Sequence, residues 1–115
     1  MNAKLLSFIL GAAMYQAASA DVLIDVRTPD EHAQSHIPNA VLMPVDTVKN
    51  SISTVVPDKT ETVYLYCRSG NRAEHARQTL LAMGYTDVKN LGSLENARVF
   101  LQKHPQTTTA IRTPK

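Results

Sequence analysis

The sequence predicts an α/β fold, a small and largely parallel sheet flanked by helices, and three observations lead there. Short β-rich runs alternate with segments of helical spacing, the pattern of strands joined by helical crossovers. The chain has 115 residues, room for one compact domain. Its 43% hydrophobic and 19% charged residues are an ordinary globular balance, which argues against disorder.

Residues 1–20 stand apart from the rest. Lys4 is their only charge, Leu5 to Met14 are apolar except for Ser7 and Gly11, and Ala18-Ser19-Ala20 offers small residues where a signal peptidase cuts. That is the pattern of a cleavable secretory signal. Its apolar core is short for a membrane span, which needs about 20 apolar residues. No cysteine follows that core to carry a lipid. The expected mature chain therefore begins at Asp21, is exported to the periplasm, and has no membrane association after cleavage.

Asp21 to Val26 reads as a buried strand. Thr28 is a capping residue, Pro29 suits the first helical position, and Glu31 completes a capping box, so a helix starts here and stops before Pro38. Ala40 to Val45 is a second short strand, with Pro44 at its end. Asp46 is expected to cap a helix carrying Val48, Ile52 and Val55, which Pro57-Asp58 breaks. Thr62 to Tyr66, β-branched and aromatic, is the clearest strand and runs directly into Cys67. Ala73, Ala76, Leu80 and Met83 fall at helical spacing, and Gly84 follows as a C-cap. Asp87 to Leu91 forms a further strand and Leu94 to Leu101 a last helix. One domain is expected over residues 21–104, with residues 105–115, rich in Thr and Pro, as a flexible tail.

The composition narrows the chemistry. A single cysteine excludes an intramolecular disulfide and any Cys-rich zinc site. Twelve basic residues nearly matched by ten acidic ones give no support for nucleic-acid binding. His32, His75 and His104 are too scattered to form a metal set, so no metal is expected. A lone Cys at a strand end is usually a small buried hydrophobe. In an exported protein an unpaired thiol is either that, or its reactivity is its purpose.

The neighbours of Cys67 favour reactivity. Cys67-Arg68-Ser69-Gly70-Asn71-Arg72 lies between the clearest strand and the clearest helix, where open α/β sheets place ligands. Backbone N–H groups in such a turn can converge on an anion, with Gly70 taking a left-handed conformation. The helix adds its positive end, and Arg68 and Arg72 add full charges. These features favour thiolate over thiol and would hold an anionic substrate against the sulfur.

At this loop the sequence resembles the rhodanese-like domain family of sulfurtransferases. Asp25-Val26-Arg27-Thr28-Pro29-Asp30-Glu31 looks like the family's D-V-R-x-P-x-E opening, and His36-Ile37-Pro38-Asn39-Ala40 resembles its G-H-I-P-G-A segment. Cys67-Arg68-Ser69-Gly70-Asn71-Arg72 matches its C-R-x-G-x-R active loop, and Gly84-Tyr85 and Gly92 fall at family positions. The similarity runs from about Asp21 to Leu101, four motifs in order. Within the family it is nearest in pattern to single-domain, exported thiosulfate sulfurtransferases of the phage-shock-protein E type. Ser35 and Asn39 depart from family glycines, Ser93 from the second glycine of a pair, and Ala97 from a frequent Trp.

The resemblance implies a rhodanese-like fold and a two-step transfer. Cys67 would take the outer sulfur of thiosulfate as a persulfide and pass it to a thiophilic acceptor, cyanide or a thiol. The loop N–H groups and Arg72 would stabilise the persulfide, and Arg68 at the rim would draw in the dianion. Ser69, Gly70 and Asn71 would complete the substrate loop, with no metal or organic cofactor. Asp25, Arg27 and Glu31 are expected to be structural, Arg27 pairing with Glu31 to brace the first strand against the loop. His36 is expected to be a hydrogen-bonded structural residue, and Tyr64 and Tyr66 to pack on one strand face.

Two other functions compete. Cys-dependent phosphatases and arsenate reductases also cradle an oxyanion over cysteine, but with C-x5-R; here Arg72 is five positions after Cys67 and the next residue is Ala73. A non-enzymatic persulfide carrier or stress-responsive module would share the loop without cycling.

Overall fold

Every residue of Val22–Asp25 (β1) and Val63–Cys67 (β3) is buried, as central strands covered on both faces must be. The computed structural model describes residues 21–114, so the signal expected over residues 1–20 lies outside the described residues. Val41–Leu42 (β2) and Val88–Ser93 (β4) complete one parallel sheet in the order β2-β1-β3-β4. The chain first steps outward from β1 to β2, then returns to β3 and continues to β4. The strand order therefore reverses between β1 and β3, and ligands bind at such a switch point, beyond the carboxyl ends of the strands.

Side-chain alternation divides the core into two layers. Val22, Ile24 and Val26 of the first strand region, with Val63, Leu65 and Cys67, join Val48, Ile52, Ala73, Ala76 and Leu80 on one face. Those partners come from Val48–Val55 (α2) and Asn71–Ala82 (α3). Leu23, Tyr64 and Tyr66 point the other way, onto Ala97 and Leu101 of Leu94–Lys103 (α4). The period of two along each strand thus assigns each residue to its layer.

Pro29–Gln34 (α1) starts on the expected capping box, with Thr28 accepting from the Glu31 N–H and Glu31 accepting from the Thr28 N–H. Gly84, at φ +99, follows the end of α3 in the left-handed conformation that lets glycine stop a helix.

Three expectations are corrected. The second strand is two residues long rather than Ala40 to Val45, because Pro44 lacks the N–H a ladder needs, although Met43 and Val45 still donate to Asp25 and Val26. Asp46 does not cap the next helix. A 3₁₀ turn, Val45–Thr47, winds first, with the Thr47 N–H and hydroxyl both donating to the Pro44 carbonyl, and α2 begins after it without a side-chain cap.

Residues 105–114 are not a flexible tail. Pro105–Ala110 (α5) is helical, and Ile111 is buried in the second layer, where it bridges to Asp21. Arg112 donates to the Asp21 and Val55 carbonyls and pairs with Glu61 at 2.8 Å. Threonine-rich composition disfavours helix, but one buried isoleucine and these bonds override that weak preference. Among the described residues no helix is long and apolar enough to cross a membrane.

Candidate active site

The site forms where β3 runs into α3. Leu65 lies opposite Asn90, but Cys67 lies opposite Ser93, so β4 carries one extra residue beside the nucleophile. Such a bulge bends a strand and redirects its backbone. Here it brings Gly92 (φ +90) against Gly70 (φ +95), so closely that a Cβ on Gly70 would sit 3.3 Å from Gly92 Cα. Both glycines take the left-handed backbone that side chains rarely adopt, and Gly70 also has no room for a Cβ beside Gly92.

The loop curls around the sulfur. Cys67 Sγ is fully buried and accepts from the Gly70 N–H at 2.9 Å and the Ala73 N–H at 3.4 Å. Two backbone donors converging on one sulfur stabilise a thiolate, and the start of α3 adds its dipole. Among the described residues, no carboxylate or imidazole is hydrogen-bonded to this sulfur. The nucleophile is prepared by fixed dipoles, not by a neighbouring base. Arg68, Ser69 and Asn71 are exposed on the rim. Arg68 has no hydrogen-bond or ion-pair partner among the described residues, leaving its charge available to an anion.

Arg72 is committed differently. Its guanidinium meets Glu31 as a fork, Nη1 to Oε1 at 2.8 Å and Nη2 to Oε2 at 3.0 Å. The expected Arg27–Glu31 pair is therefore absent. Arg27 lies two residues from Asp25, on the same side of the extended chain, and turns back onto it. Glu31 instead joins α1 to the active loop through Arg72. The same pair reduces the share of the Arg72 charge open to an anion and leaves Arg68 as the loop arginine without a partner among the described residues.

The Glu31 carboxyl is held down to about 2, first by the Arg72 hydrogen bonds and then by the Thr28 N–H. A carboxyl whose folded pKa lies below its unfolded value stabilises the fold above that unfolded value, and loses the contribution as pH falls through the folded one. The stability difference between the wild type and Glu31→Gln is thus expected to shrink between pH 4.5 and about 2 in acid titrations followed by circular dichroism. A difference independent of pH would remove this pair from the account.

Asp25 anchors a second, buried network. Oδ1 accepts from Arg27 N at 3.0 Å and Arg27 Nε at 2.9 Å. Oδ2 accepts from Arg27 Nη2 at 2.7 Å and the Tyr66 hydroxyl at 3.2 Å, and is 2.9 Å from His32 Nδ1. Burial acts to raise the Asp25 pKa, but the hydrogen bonds from Arg27 and His32 outweigh it and hold the carboxyl below its ordinary range. Arg27 also donates to the Ser35 carbonyl, and the Tyr66 hydroxyl accepts from the Ile37 N–H. Burial, first among several causes, pushes Tyr66 up to about 12. Its hydroxyl is a structural bond as well as its ring a packing surface.

His36 is hydrogen-bonded to the His32 carbonyl at 2.7 Å and stacked on the His32 ring at 3.7 Å between centroids. Neither imidazole is bonded to Cys67. The departures from the family pattern each find a place. Asn39 takes the left-handed conformation at φ 72, while Ser35 is extended and its hydroxyl accepts from Arg98. Ser93 caps α4 through the Asn96 N–H, and Ala97 is fully buried.

The structure therefore brings Cys67 to Arg72 together, with Glu31 attached through Arg72. It sets Asp25, Arg27 and His36 in the scaffold behind them. Sequence reasoning missed His32 and Asn90. The position of His32 beside Glu31 on a capped helix was a faint signal for the first. The nearness of Asn90 to Gly92 was the only one for the second.

A parallel α/β domain whose cysteine sulfur is cradled by backbone N–H groups at the switch point has the framework of the cysteine-nucleophile transfer proteins. The model of the rhodanese-like domain family matches residues 11–97. The thiosulfate sulfurtransferase PspE of Escherichia coli (strain K12) is 42% identical over 78 residues, covering 68% of this chain and 75% of that protein. A sulfurtransferase of Allochromatium vinosum is 40% identical over 70 residues, 61% of this chain and 64% of that one. A solved structure of a rhodanese with anions from E. coli matches with a TM-score of 0.65 and 43% identity, over 67% of this chain and 91% of the other. The chain belongs to the rhodanese-like domain family.

Proposed function

We propose that this domain is a thiosulfate sulfurtransferase working through a Cys67 persulfide. The observation that carries the reading is the Cys67 sulfur held by the Gly70 and Ala73 N–H groups. The resemblance to a thiosulfate sulfurtransferase at 42% identity supports it. In the first step the Cys67 thiolate attacks the outer sulfur of thiosulfate. A new S–S bond forms, the bond between the two thiosulfate sulfurs breaks, and sulfite leaves with the electron pair. The persulfide carries one negative charge on its outer sulfur, close to the loop donors that held the thiolate. In the second step cyanide or a thiolate takes that outer sulfur and Cys67 leaves as thiolate. No external oxidant or reductant is needed.

Thiosulfate with cyanide, followed as thiocyanate, tests the cycle. Mass spectrometry after thiosulfate alone should show one added sulfur on the Cys67 peptide. A persulfide that forms once and does not turn over would leave the carrier reading instead. Cys67-dependent release of nitrophenol from p-nitrophenyl phosphate, without thiocyanate formation, would favour the phosphatase class.

Arg68 is the rim charge with no internal partner, so its loss should act on substrate capture. Arg68→Gln is expected to raise the KM for thiosulfate about two- to fivefold, the scale of one exposed charge contact, with kcat little changed. An unchanged KM would assign capture elsewhere. Residues 1–20 support export to a periplasm-like compartment, and a mature N-terminus at Asp21, read by intact-mass measurement, is the corresponding test.

A further inference from the structure

Gly70 supplies the shorter of the two hydrogen bonds to the nucleophile, yet it is the residue least able to hold its own backbone still. It has no side chain, sits at φ +95, and precedes α3 without a side-chain cap. Glycine in that region rotates at little cost, so the direction of its N–H depends on what grips it. The grip comes from β4. Asn90 Nδ2 donates to the Gly70 carbonyl at 3.0 Å and lies 3.4 Å from Glu74 Oε1, while Asn90 Oδ1 accepts from the Gly92 N–H at 2.8 Å. The Glu74 N–H reaches the same Gly70 carbonyl at 2.9 Å.

Only an amide meets these demands. The Gly70 carbonyl and the Glu74 carboxylate require a donor, and the Gly92 N–H requires an acceptor, within one short side chain. An aspartate would set an anion against two acceptors. With Gly92 Cα packed against the Gly70 backbone, the Asn90 bonds leave the loop's hinge no room to rock. Asn90 sits in regular register opposite Leu65, and the bulge that follows it carries Gly92 beside the loop.

We propose that Asn90 is a positioning residue for sulfur transfer: by holding the Gly70 carbonyl it limits rotation about the Gly70 Cα, and so steadies the preceding peptide, whose N–H meets the Cys67 sulfur. The proposal rests on the sulfurtransferase reading and adds a residue outside the active loop to it. Asn90 acts on the reacting sulfur through Gly70, and it is not placed to meet the anion that Arg68 meets on the rim.

Single-turnover persulfide formation, measured by rapid quench and mass spectrometry over a range of thiosulfate concentrations, separates these roles. Direct removal of one anion-stabilising donor costs about 10²–10³ in rate, and an indirect loss is expected to lower the limiting rate about tenfold. The thiosulfate concentration at half-maximal rate should move by less than about twofold, the reverse of the Arg68→Gln pattern. Asn90→Asp is the first variant. Asn90→Ser introduces no charge, cannot span to the Gly70 carbonyl, and carries the test if Asn90→Asp fails to fold. A purely structural residue would lower the melting temperature and leave the limiting rate of the folded protein alone. A limiting rate within about twofold of wild type overturns the proposal, as does a rise confined to the half-maximal concentration. If the wild type gains no sulfur, the sulfurtransferase reading falls and this role with it. If the wild type gains sulfur and the variant matches it, only the role of Asn90 falls.

Discussion

Cys67→Ser is expected to lose at least about 1,000-fold in thiocyanate formation while keeping its fold, because covalent transfer has no route without the thiolate. The two atoms that change places, sulfur and oxygen, differ little in shape. A serine hydroxyl can still accept from the Gly70 and Ala73 N–H groups that now meet the sulfur. Its ionisation lies far above neutral pH, and oxygen is a poor partner for a sulfane sulfur. Circular dichroism and a melting curve close to wild type would show that the lost rate is chemical. Activity above a few per cent of wild type would displace Cys67 from the mechanism.

The second large effect is on stability. Asp25→Ala should cost about 3–5 kcal/mol, the scale of leaving one member of a buried ion pair unpartnered. Arg27 is 6% exposed and donates three hydrogen bonds to this one carboxylate, from its backbone N, Nε and Nη2. The Tyr66 hydroxyl and His32 lose the same acceptor. Small domains are stable by about 5–15 kcal/mol in total, so the variant should be near its unfolding midpoint in mild urea. Asp25→Asn keeps an acceptor and much of the shape, and is expected to lose less than the alanine variant. Urea midpoints at constant m-value give both numbers. An alanine variant within about 1 kcal/mol of wild type would mean that Arg27 finds other partners or water.

The strands and the helices they feed were legible because each follows a local rule. Continuous β-rich runs, buried throughout, mark β1 and β3, and Thr28-Pro29 with Glu31 marks the start of α1. The nucleophile was legible for the same reason, since Cys67, Gly70 and Arg72 are close in sequence and their chemistry is local. Partner choice was not. Arg27 could turn to Asp25 or to Glu31, and only the direction of α1 decides, carrying Glu31 to Arg72, 41 residues along. Asn90 meets Gly70 across 20 residues, a pairing that no local pattern announces. The segment after residue 104 was read from composition, which is blind to the pocket that receives Ile111. Long-range geometry is what one sequence leaves out.

That C-terminal contact also bears on how the chain comes to be folded. Asp21 and Ile111 pair directly, and Arg112 ties the last residues to Asp21, Val55 and Glu61. A chain leaving the ribosome cannot close this seam until residues 111 and 112 have emerged. The parallel ladder between β1 and β3 likewise spans some 40 residues and must wait for both strands. Topologies built on such distant pairings fold late and slowly. Cys67 ends β3, so the cradle around the sulfur rests on that long-range ladder.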